Sequence, residues 1–174
     1  KPYTPADKPN PVSIYGKTKL WGENAVLENT DNAIIIRTAW LYSPYGNNFV
    51  KTMRRLGAEK KSINVVADQI GTPTYAGDLA AANVKILPQM NKQNSGIYHF
   101  TNMGVCSWYD FATEIMEQSG LKCVVNPIIT DEYPTRARRP FYSVLDKSKI
   151  IQTFGVEIDH WKNGLAKCIR KMEK

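Results

Sequence analysis

The sequence predicts an α/β protein in which helices cover a mainly parallel sheet, the arrangement of a doubly wound domain. A helix is expected to begin after Ser13, a good N-cap residue, and to run to about Asn29. It is followed by Ala33-Ile34-Ile35-Ile36-Arg37, a continuous β-branched run typical of a strand buried on both faces. Because ligands bind at the carboxyl ends of strands in such folds, residues 38–42 are expected to border a site.

The rest of the chain continues this alternation of helices and strands. Further helices are expected at about 49–59, 78–87, 107–119, 147–154 and 159–172. Strands are expected at 63–66, at 96–100 and within 123–129, where Pro127 interrupts the run. Prolines, glycines and short polar residues predict irregular structure for 1–12, 43–48, 68–75 and 130–142. The order of these elements supports the α/β assignment.

Length and composition are those of one domain, or of one and a half. The 174 residues are 43% hydrophobic, which is enough to build a real core. No apolar run approaches the roughly 18 residues that cross a membrane, so no membrane partner is expected. The net charge of +7 comes mostly from scattered residues, and we expect no nucleic-acid partner. The chain begins on a lysine, and we expect it to be a piece of a longer protein.

The cysteines and histidines do not form a metal-binding pattern. Cys106, Cys123 and Cys168 form no C-x-x-C pair and are expected to be reduced thiols in a cytoplasmic protein. His99 alternates within a predicted strand and is expected to be structural, whereas His160 is expected at the surface. No metal-ligating residues are therefore predicted.

A tyrosine and a lysine four residues apart lie in the predicted first helix. Tyr15 and Lys19 would share one helix face, one turn apart. A phenol beside a fixed ammonium is a proton donor that a redox enzyme can use, because the ammonium stabilises the phenolate left behind. Spacing alone is weak evidence for this role. The alternative is an amphipathic helix with a boundary tyrosine and a solvated lysine.

Several separated motifs follow one another along the chain. They are Y-G-K-T-K at 15–19, R-T-A-W-L-Y at 37–42, G-N-N-F at 46–49, D-Q-I-G-T-P-T at 68–74 and R-R-P-F-Y-S-V-L-D at 138–146. Together they resemble the dTDP-4-dehydrorhamnose reductase family of extended short-chain dehydrogenase/reductases. The resemblance covers nearly the whole chain in the right order. The glycine-rich dinucleotide loop of such proteins, and the Ser or Thr that completes the site ahead of the tyrosine, are absent from this sequence.

The resemblance implies a domain division and a reaction. Residues 1–45 would end an NAD(P)-binding domain of the Rossmann type whose first part is missing, and 46–174 would form mainly a substrate-binding domain, with some elements returning to the first. The 4-keto group of dTDP-4-dehydro-6-deoxy-L-mannose would be reduced to give dTDP-L-rhamnose, with NADPH or NADH as donor. Tyr15 would deliver the proton, and Lys19 would hold the nicotinamide ribose and stabilise the tyrosinate. We expect the chain alone to be inactive because it lacks the glycine loop.

The resemblance also implies contacts at the predicted strand end. Trp40 would stack on the apolar face of the sugar, and the alternative is core packing under the following loop. Thr38 and Ala39 would offer backbone groups to the nicotinamide and so belong to the cofactor site. Asp68 is expected to anchor its own loop through bonds from its side chain to the backbone.

Amide and guanidinium groups are the remaining candidates for substrate binding. Asn48, with Asn47 beside it, would bond the nucleotide part of the substrate, or would simply form a turn. Arg136, Arg138 and Arg139 would bind the diphosphate, since guanidinium forks match its oxygens, and Arg138 and Arg139 are favoured because Arg-Pro belongs to the shared motif. The alternative for this segment is a solvated basic loop.

Two rival functions use the same fold. The first is an epimerase or dehydratase acting on another nucleotide sugar, because a fold does not fix its chemistry. The second is a non-catalytic regulatory subunit that has kept the architecture. Presence of both Tyr15 and Lys19 argues against the second. A nucleotide sugar is the expected partner, and a homodimer is left open.

Overall fold

The computed structural model describes residues 1–135 and 139–173 as alternating helices and short strands. The helices in these ranges are α1 (Ile14–Asn29), α2 (Phe49–Glu59), α3 (Ala76–Ile86), α4 (Trp108–Gln118), α5 (Ser148–Phe154) and α6 (Trp161–Met172). The strands are β1 (Ile34–Arg37), β2 (Leu41–Tyr42), β3 (Ser62–Val66), β4 (Ile70–Gly71), β5 (Thr74–Tyr75), β6 (Gly96–His99), β7 (Cys106–Ser107) and β8 (Val124–Ile128). The predicted α/β class is confirmed.

Three of the four strand pairs in the described residues are parallel. β1 pairs with β6, β2 with β5 and β3 with β8 in parallel, and β4 pairs with β7 in antiparallel fashion. Each parallel partner is distant in sequence, so helices run between the paired strands. Pro127 stands within β8 opposite Val65, and it is tolerated there because β8 has one described partner, as an edge strand does.

The first helix and the first strand form as local signals predict, but they are less buried. The Ser13 hydroxyl accepts a hydrogen bond from the Gly16 amide at 3.1 Å and caps α1. None of the side chains of α1 is buried, and all four residues of β1 are half-buried. The prediction of a strand buried on both faces is therefore wrong for the described residues, among which β6 is the one strand that pairs with β1.

Among the described residues, two hydrophobic clusters form the core. One contains Tyr98 and Phe100 from the β6 region with Ile150 and Phe154 of α5, and Ile36 of β1 packs against it. The other joins α2, α4 and α6 to β3, with its most buried side chains from all three helices: Val50, Phe111, Ile115 and Leu165. The domain boundary at residue 45 stays a prediction. β6 and α5, which come after that boundary, share a hydrophobic cluster with β1, which comes before it.

The segment 68–75 differs from the predicted open loop. It contains β4 and β5, and Gly71 to Tyr75 are all buried. Its polar side chains are satisfied internally: Thr72 donates to the Gly104 carbonyl at 2.8 Å and Thr74 to the Ala39 carbonyl at 2.7 Å. Short hydroxyl side chains can be buried in this way because each finds a backbone acceptor. The prolines and glycines of this segment therefore predicted irregular structure where the chain forms two short strands.

Single polar residues largely follow prediction. His99 is buried with its Nδ1 3.1 Å from the Tyr3 carbonyl oxygen, and burial lowers the pKa of its imidazole. His160 is exposed and caps α6. The Asp68 carboxylate accepts a hydrogen bond from its own backbone amide, as predicted, but its further bonds leave the loop. It accepts from the Thr130 hydroxyl at 2.7 Å and from the Thr130 amide, and so ties two distant segments.

Candidate functional site

The predicted catalytic pair lies on α1. The Lys19 ammonium is 5.4 Å from the centre of the Tyr15 ring, so the two side chains share a face as their spacing predicts. The Tyr15 side chain is exposed, with 72% of the residue surface accessible. The structure thus brings the phenol and the ammonium together at an open surface, where both can contact another molecule.

A cavity of about 470 Å³ lies beside β2 and β3, a size common for ligand sites. Its wall is aromatic, from Trp40, Phe49, Trp108 and Phe111. Its polar lining comes from amide, hydroxyl and guanidinium groups: Asn47, Asn48, Thr52, Asn64, Gln69, Tyr133, Thr135 and Arg139. This combination of flat apolar walls and hydrogen-bonding groups suits a ligand that carries both rings and anionic or polar groups.

Trp40 forms one wall of the cavity from an unusual backbone conformation. Its φ is 49°, in the left-handed region that is unfavourable for a bulky residue. Its indole stacks on Trp108 with ring centres 3.6 Å apart and an angle of 10° between planes. Its carbonyl accepts from the Thr74 amide at 3.1 Å, and Gly71 lies against the indole edge. These contacts hold the strained residue in one position.

Two helix amino termini deliver the other aromatic walls. Asn48 caps α2, since its Oδ1 accepts from the Lys51 amide at 3.3 Å, and Phe49 is the first residue of the helix. Ser107 and Asp110 form a capping box at α4, and Trp108 is the first residue of that helix. Phe49 and Trp108 touch, with ring centres 4.6 Å apart. Capping therefore fixes where both rings enter the cavity.

The Asn48 amide is largely used within the protein. Its Nδ2 donates to the Ser43 carbonyl at 2.7 Å, in addition to the capping bond of its oxygen. This is the turn-forming role that the sequence left open as an alternative. Asn47, which is exposed, and Arg139, which is also exposed, line the cavity next to it. They are the better placed of these side chains to contact a ligand.

A second set of hydrogen bonds holds the segment after β8 at the cavity. Gln69 lines the cavity, and its Nε2 donates to the Thr130 hydroxyl at 3.1 Å. The same hydroxyl donates to Asp68, and the backbone hydrogen bond from Thr130 lowers the pKa of the Asp68 carboxyl below its ordinary 3.8. Tyr133, three residues further along, also lines the cavity. Asp68 and Gln69 therefore support the wall without needing to touch a ligand.

The predicted site residues fall into three groups. Trp40, Asn48 and Arg139 line the cavity, whereas Thr38 is exposed just before it and the Ala39 carbonyl is taken by Thr74. The described lining of the cavity does not include Tyr15 or Lys19, which lie on α1. Arg136 and Arg138 lie outside the described residues.

Sequence reasoning missed most of the cavity wall, including Phe49, Gln69 and Trp108. Phe49 and Gln69 belong to the G-N-N-F and D-Q-I-G-T-P-T motifs, but nothing in those motifs marks them as site residues. Trp108 follows the capping serine of α4, and the signal that could have found it is an aromatic residue at a helix start. Trp40, on which it stacks, is 68 residues earlier in the sequence. No local pattern therefore predicts that the two indoles meet.

Among residues 1–135 and 139–173, no group of three or more His, Cys, Asp or Glu side chains is arranged to hold a metal ion. In the same ranges, no helix is both long and apolar enough to span a membrane. All three cysteines, Cys106, Cys123 and Cys168, are buried and free, and burial raises the pKa of the Cys168 thiol to about 11.

Comparison with known proteins identifies close relatives. The chain is 43% identical over 172 residues to a dTDP-4-dehydrorhamnose reductase of Aggregatibacter actinomycetemcomitans, covering 94% of this chain and 58% of that protein. A crystal structure of such a reductase from Clostridium acetobutylicum superposes with a TM-score of 0.94 at 45% identity, covering 100% of this chain and 61% of the other. A Bacillus anthracis reductase in complex with NADP gives a TM-score of 0.91 at 40% identity, covering 98% and 59%.

The chain thus spans about 60% of the length of these relatives. The family model described as the RmlD substrate binding domain matches residues 1–174. The match extends over every element described above, from α1 with its tyrosine and lysine to α6. The chain therefore belongs to the RmlD substrate binding domain family.

Proposed function

We propose that this chain is the carboxyl-terminal, substrate-binding part of an NAD(P)H-dependent reductase that converts a dTDP-4-dehydro-6-deoxy sugar into dTDP-L-rhamnose. The observation that carries the proposal is the cavity, whose aromatic wall and polar lining suit a nucleotide sugar. Relatives that bear the reductase name support the same reaction.

The cavity offers a matching group to each part of such a substrate. The rings of Trp40 and Phe49 can pack on a pyranose through its C–H groups, or on a nucleobase through the face of its ring. The Arg139 guanidinium can form paired hydrogen bonds with diphosphate oxygens. Asn47 carries both a donor and an acceptor for the polar edges of a base or sugar. We assign Trp40 and Arg139 to substrate binding, and Asn48 to holding the wall.

The proton chemistry is assigned to α1. As the carbonyl carbon is reduced, negative charge grows on the 4-keto oxygen, and Tyr15 would donate its phenolic proton to that oxygen. Lys19, with its ammonium 5.4 Å from the ring centre, would stabilise the phenolate that is left. A correctly placed acid contributes about 10²- to 10⁴-fold to a reaction rate. The loss of the phenol should therefore remove most turnover.

Reduced nicotinamide would supply the hydride when bound. The residues present fit its ribose, because Tyr15 and Lys19 are exposed on α1 and carry donors for ribose hydroxyls. Thr38, also exposed, and the backbone at Ala39 are the further candidates for the nicotinamide side. The sequence contains no G-x-x-G-x-x-G turn to hold a pyrophosphate. We therefore propose that the 174-residue chain alone does not turn over, and that either NADPH or NADH serves the full-length protein.

The test uses the full-length protein that contains this chain. Purified protein is mixed with dTDP-4-dehydro-6-deoxy-L-mannose and NADPH or NADH, and the consumption of reduced nicotinamide and the formation of dTDP-L-rhamnose are measured. Tyr15→Phe is expected to lower kcat by about 10²- to 10⁴-fold with little change in cofactor Kd. Tyr45→Phe is the matched control, since Tyr45 is another exposed tyrosine and does not line the cavity. Near-normal turnover by Tyr15→Phe would remove the phenol from the mechanism.

The same assay separates the rival functions. An epimerase or dehydratase converts a nucleotide sugar without net consumption of reduced nicotinamide, because hydride is returned within the cycle. A regulatory subunit binds thymidine nucleotide in calorimetry and gives no product with any donor. Either result would overturn the reductase assignment, and each would leave the cavity as a nucleotide-sugar site.

Cellular location and assembly complete the proposal. Three free, buried thiols are typical of a reducing compartment, and on that ground we propose that the protein is cytoplasmic. A homodimer is left open, and light scattering on the full-length protein over the concentration range of the activity assay distinguishes it from a monomer.

A further inference from the structure

An ion pair joins α1 to β1, although no residue of the helix is fully buried. The Arg37 Nε donates to Glu23 Oε1 at 2.9 Å and its Nη2 donates to Glu23 Oε2 at 2.6 Å. The Glu23 and Arg37 side chains are only 16% and 21% exposed, although no residue of α1 is fully buried. This pair is therefore a specific connection between the helix and the sheet.

The geometry of the pair restricts the rotation of α1. Two parallel N–H to oxygen bonds form between a planar guanidinium and a planar carboxylate, and such a fork fixes orientation as well as distance. A lysine in place of Arg37 would supply the charge without the fork. Partial burial also limits screening by solvent, so the contact is stronger than an open surface pair.

Glu23 follows the proposed catalytic residues along α1 at the same four-residue spacing. Tyr15, Lys19 and Glu23 are spaced by four residues, so each lies one turn above the last along one side of α1. Arg37 is the last residue of β1, and Trp40 in the cavity wall follows three positions later. The ion pair at Glu23 fixes the rotation of α1 relative to the strand whose end leads into the cavity, and Tyr15 and Lys19 lie on that same helix.

Arg37 also satisfies a carboxylate that would otherwise compete for Lys19. Glu23 is four residues after Lys19, a spacing at which opposite charges on a helix attract. In the structure the carboxylate is engaged by the guanidinium, and the Lys19 ammonium lies over the Tyr15 ring instead. The same contact thus orients the helix and leaves the ammonium beside the phenol.

We propose that Glu23 and Arg37 are positioning residues for the reduction: their ion pair holds α1 so that Tyr15 and Lys19 face the carboxyl end of β1. This inference rests on the proposed function. Neither residue needs to touch substrate or cofactor. The pair acts through the placement of the helix, and a misplacement of about 1 Å at a reacting group can cost on the order of 100-fold in rate.

The experiment measures Arg37→Gln, Glu23→Gln and the double variant in the full-length protein. Each single variant is expected to lower kcat by about 10- to 100-fold, while the KM for the nucleotide sugar and the Kd for thymidine diphosphate change by less than about twofold. The double variant is expected to lose no more than either single variant, because both remove the same contact. Arg37→Lys should recover part of the lost kcat, since it restores charge without the fork.

Arg55→Gln provides the matched control. Arg55 pairs with Glu59 at 2.8 Å within α2, both side chains are more than half exposed, and the variant should keep wild-type kcat. Single variants with wild-type kcat, losses that add in the double variant, or nucleotide affinity falling in parallel with kcat would each overturn the positioning role. A wild-type protein without reductase turnover would refute the proposed function and this inference together. An active wild type with an equally active Arg37→Gln refutes the inference alone.

Discussion

Gly71→Ala tests how tightly the Trp40 wall is held. A Cβ atom added at Gly71 would lie 2.6 Å from Cε2 and 2.7 Å from Cζ2 of the Trp40 indole, and 2.5 Å from the Ser143 hydroxyl oxygen. Carbon atoms in contact normally lie about 3.5–4.0 Å apart, so the indole would have to move by about 1 Å. The substitution therefore adds one methyl group directly behind the wall.

The cost of that movement follows from the neighbours of the indole. Trp40 is already stacked on Trp108 at 3.6 Å, and its backbone is fixed at a φ of 49° by the bond to Thr74. An extra methyl group in a packed interior costs about 1–3 kcal/mol when neighbours cannot make room. We expect the free energy of unfolding to fall by that amount. Because Trp40 lines the cavity, affinity for thymidine diphosphate should fall as well.

The measurement is urea unfolding of the purified protein, followed by calorimetric titration with thymidine diphosphate. Gly22→Ala is the matched control, because a Cβ there meets no atom within 4 Å and its backbone is helical. In a helix interior that change should raise stability by about 0.5–1 kcal/mol. Stability of Gly71→Ala within about 0.5 kcal/mol of wild type, with unchanged nucleotide affinity, would show that the wall yields easily and would refute the reasoning.

Two further predictions concern hydrogen-bonded polar side chains. Asn102 is fully buried and its side chain bonds the Tyr75 amide and the Asp78 carboxylate at 2.8 Å each, so Asn102→Leu should lower the free energy of unfolding by about 2–5 kcal/mol in urea titration. A loss below about 0.5 kcal/mol would contradict it. Asp68 has a pKa below its ordinary 3.8 because Thr130 donates to it. Its contribution is therefore complete above about pH 4 and is lost as the pH falls through the lowered value. The difference in unfolding free energy between wild type and Asp68→Asn should be constant above that pH and shrink below it. A difference that grows as the pH falls would contradict the stabilising role of the Asp68 carboxylate.

Local signals account for the elements that sequence analysis predicted well. Ser13 caps α1 and the Ser107–Asp110 box begins α4, and both patterns involve residues within one turn of each other. The β-branched run at 34–37 forms β1 as expected. The parallel pairing with β6 follows from the alternation of helices and strands, which permits parallel neighbours. These features need little knowledge of the tertiary fold.

The cavity depended on contacts that no local pattern contains. Trp40 was expected near a ligand because it follows a strand, but its stacking on Trp108 joins two segments distant in sequence. Gln69 and Asp68 meet Thr130 across 61 and 62 residues, whereas the sequence predicted only that Asp68 bonds to its own loop. Packing and paired hydrogen bonds overrode the loop signals of Gly71 and its neighbours.

The conformation of Trp40 connects these contacts to function. A glycine at this position would adopt a φ of 49° without penalty, whereas a tryptophan gives up about 1–2 kcal/mol to do so. The protein offsets that strain through the stack on Trp108 and the bond from Thr74, and the indole then faces the cavity. Residues whose strained backbone is held in place by surrounding contacts are often found at ligand sites. There the side chain is already in its binding position before the ligand arrives. The strained backbone of Trp40, where the chain passes from β1 to β2, therefore supports the proposal that its indole contacts a ligand.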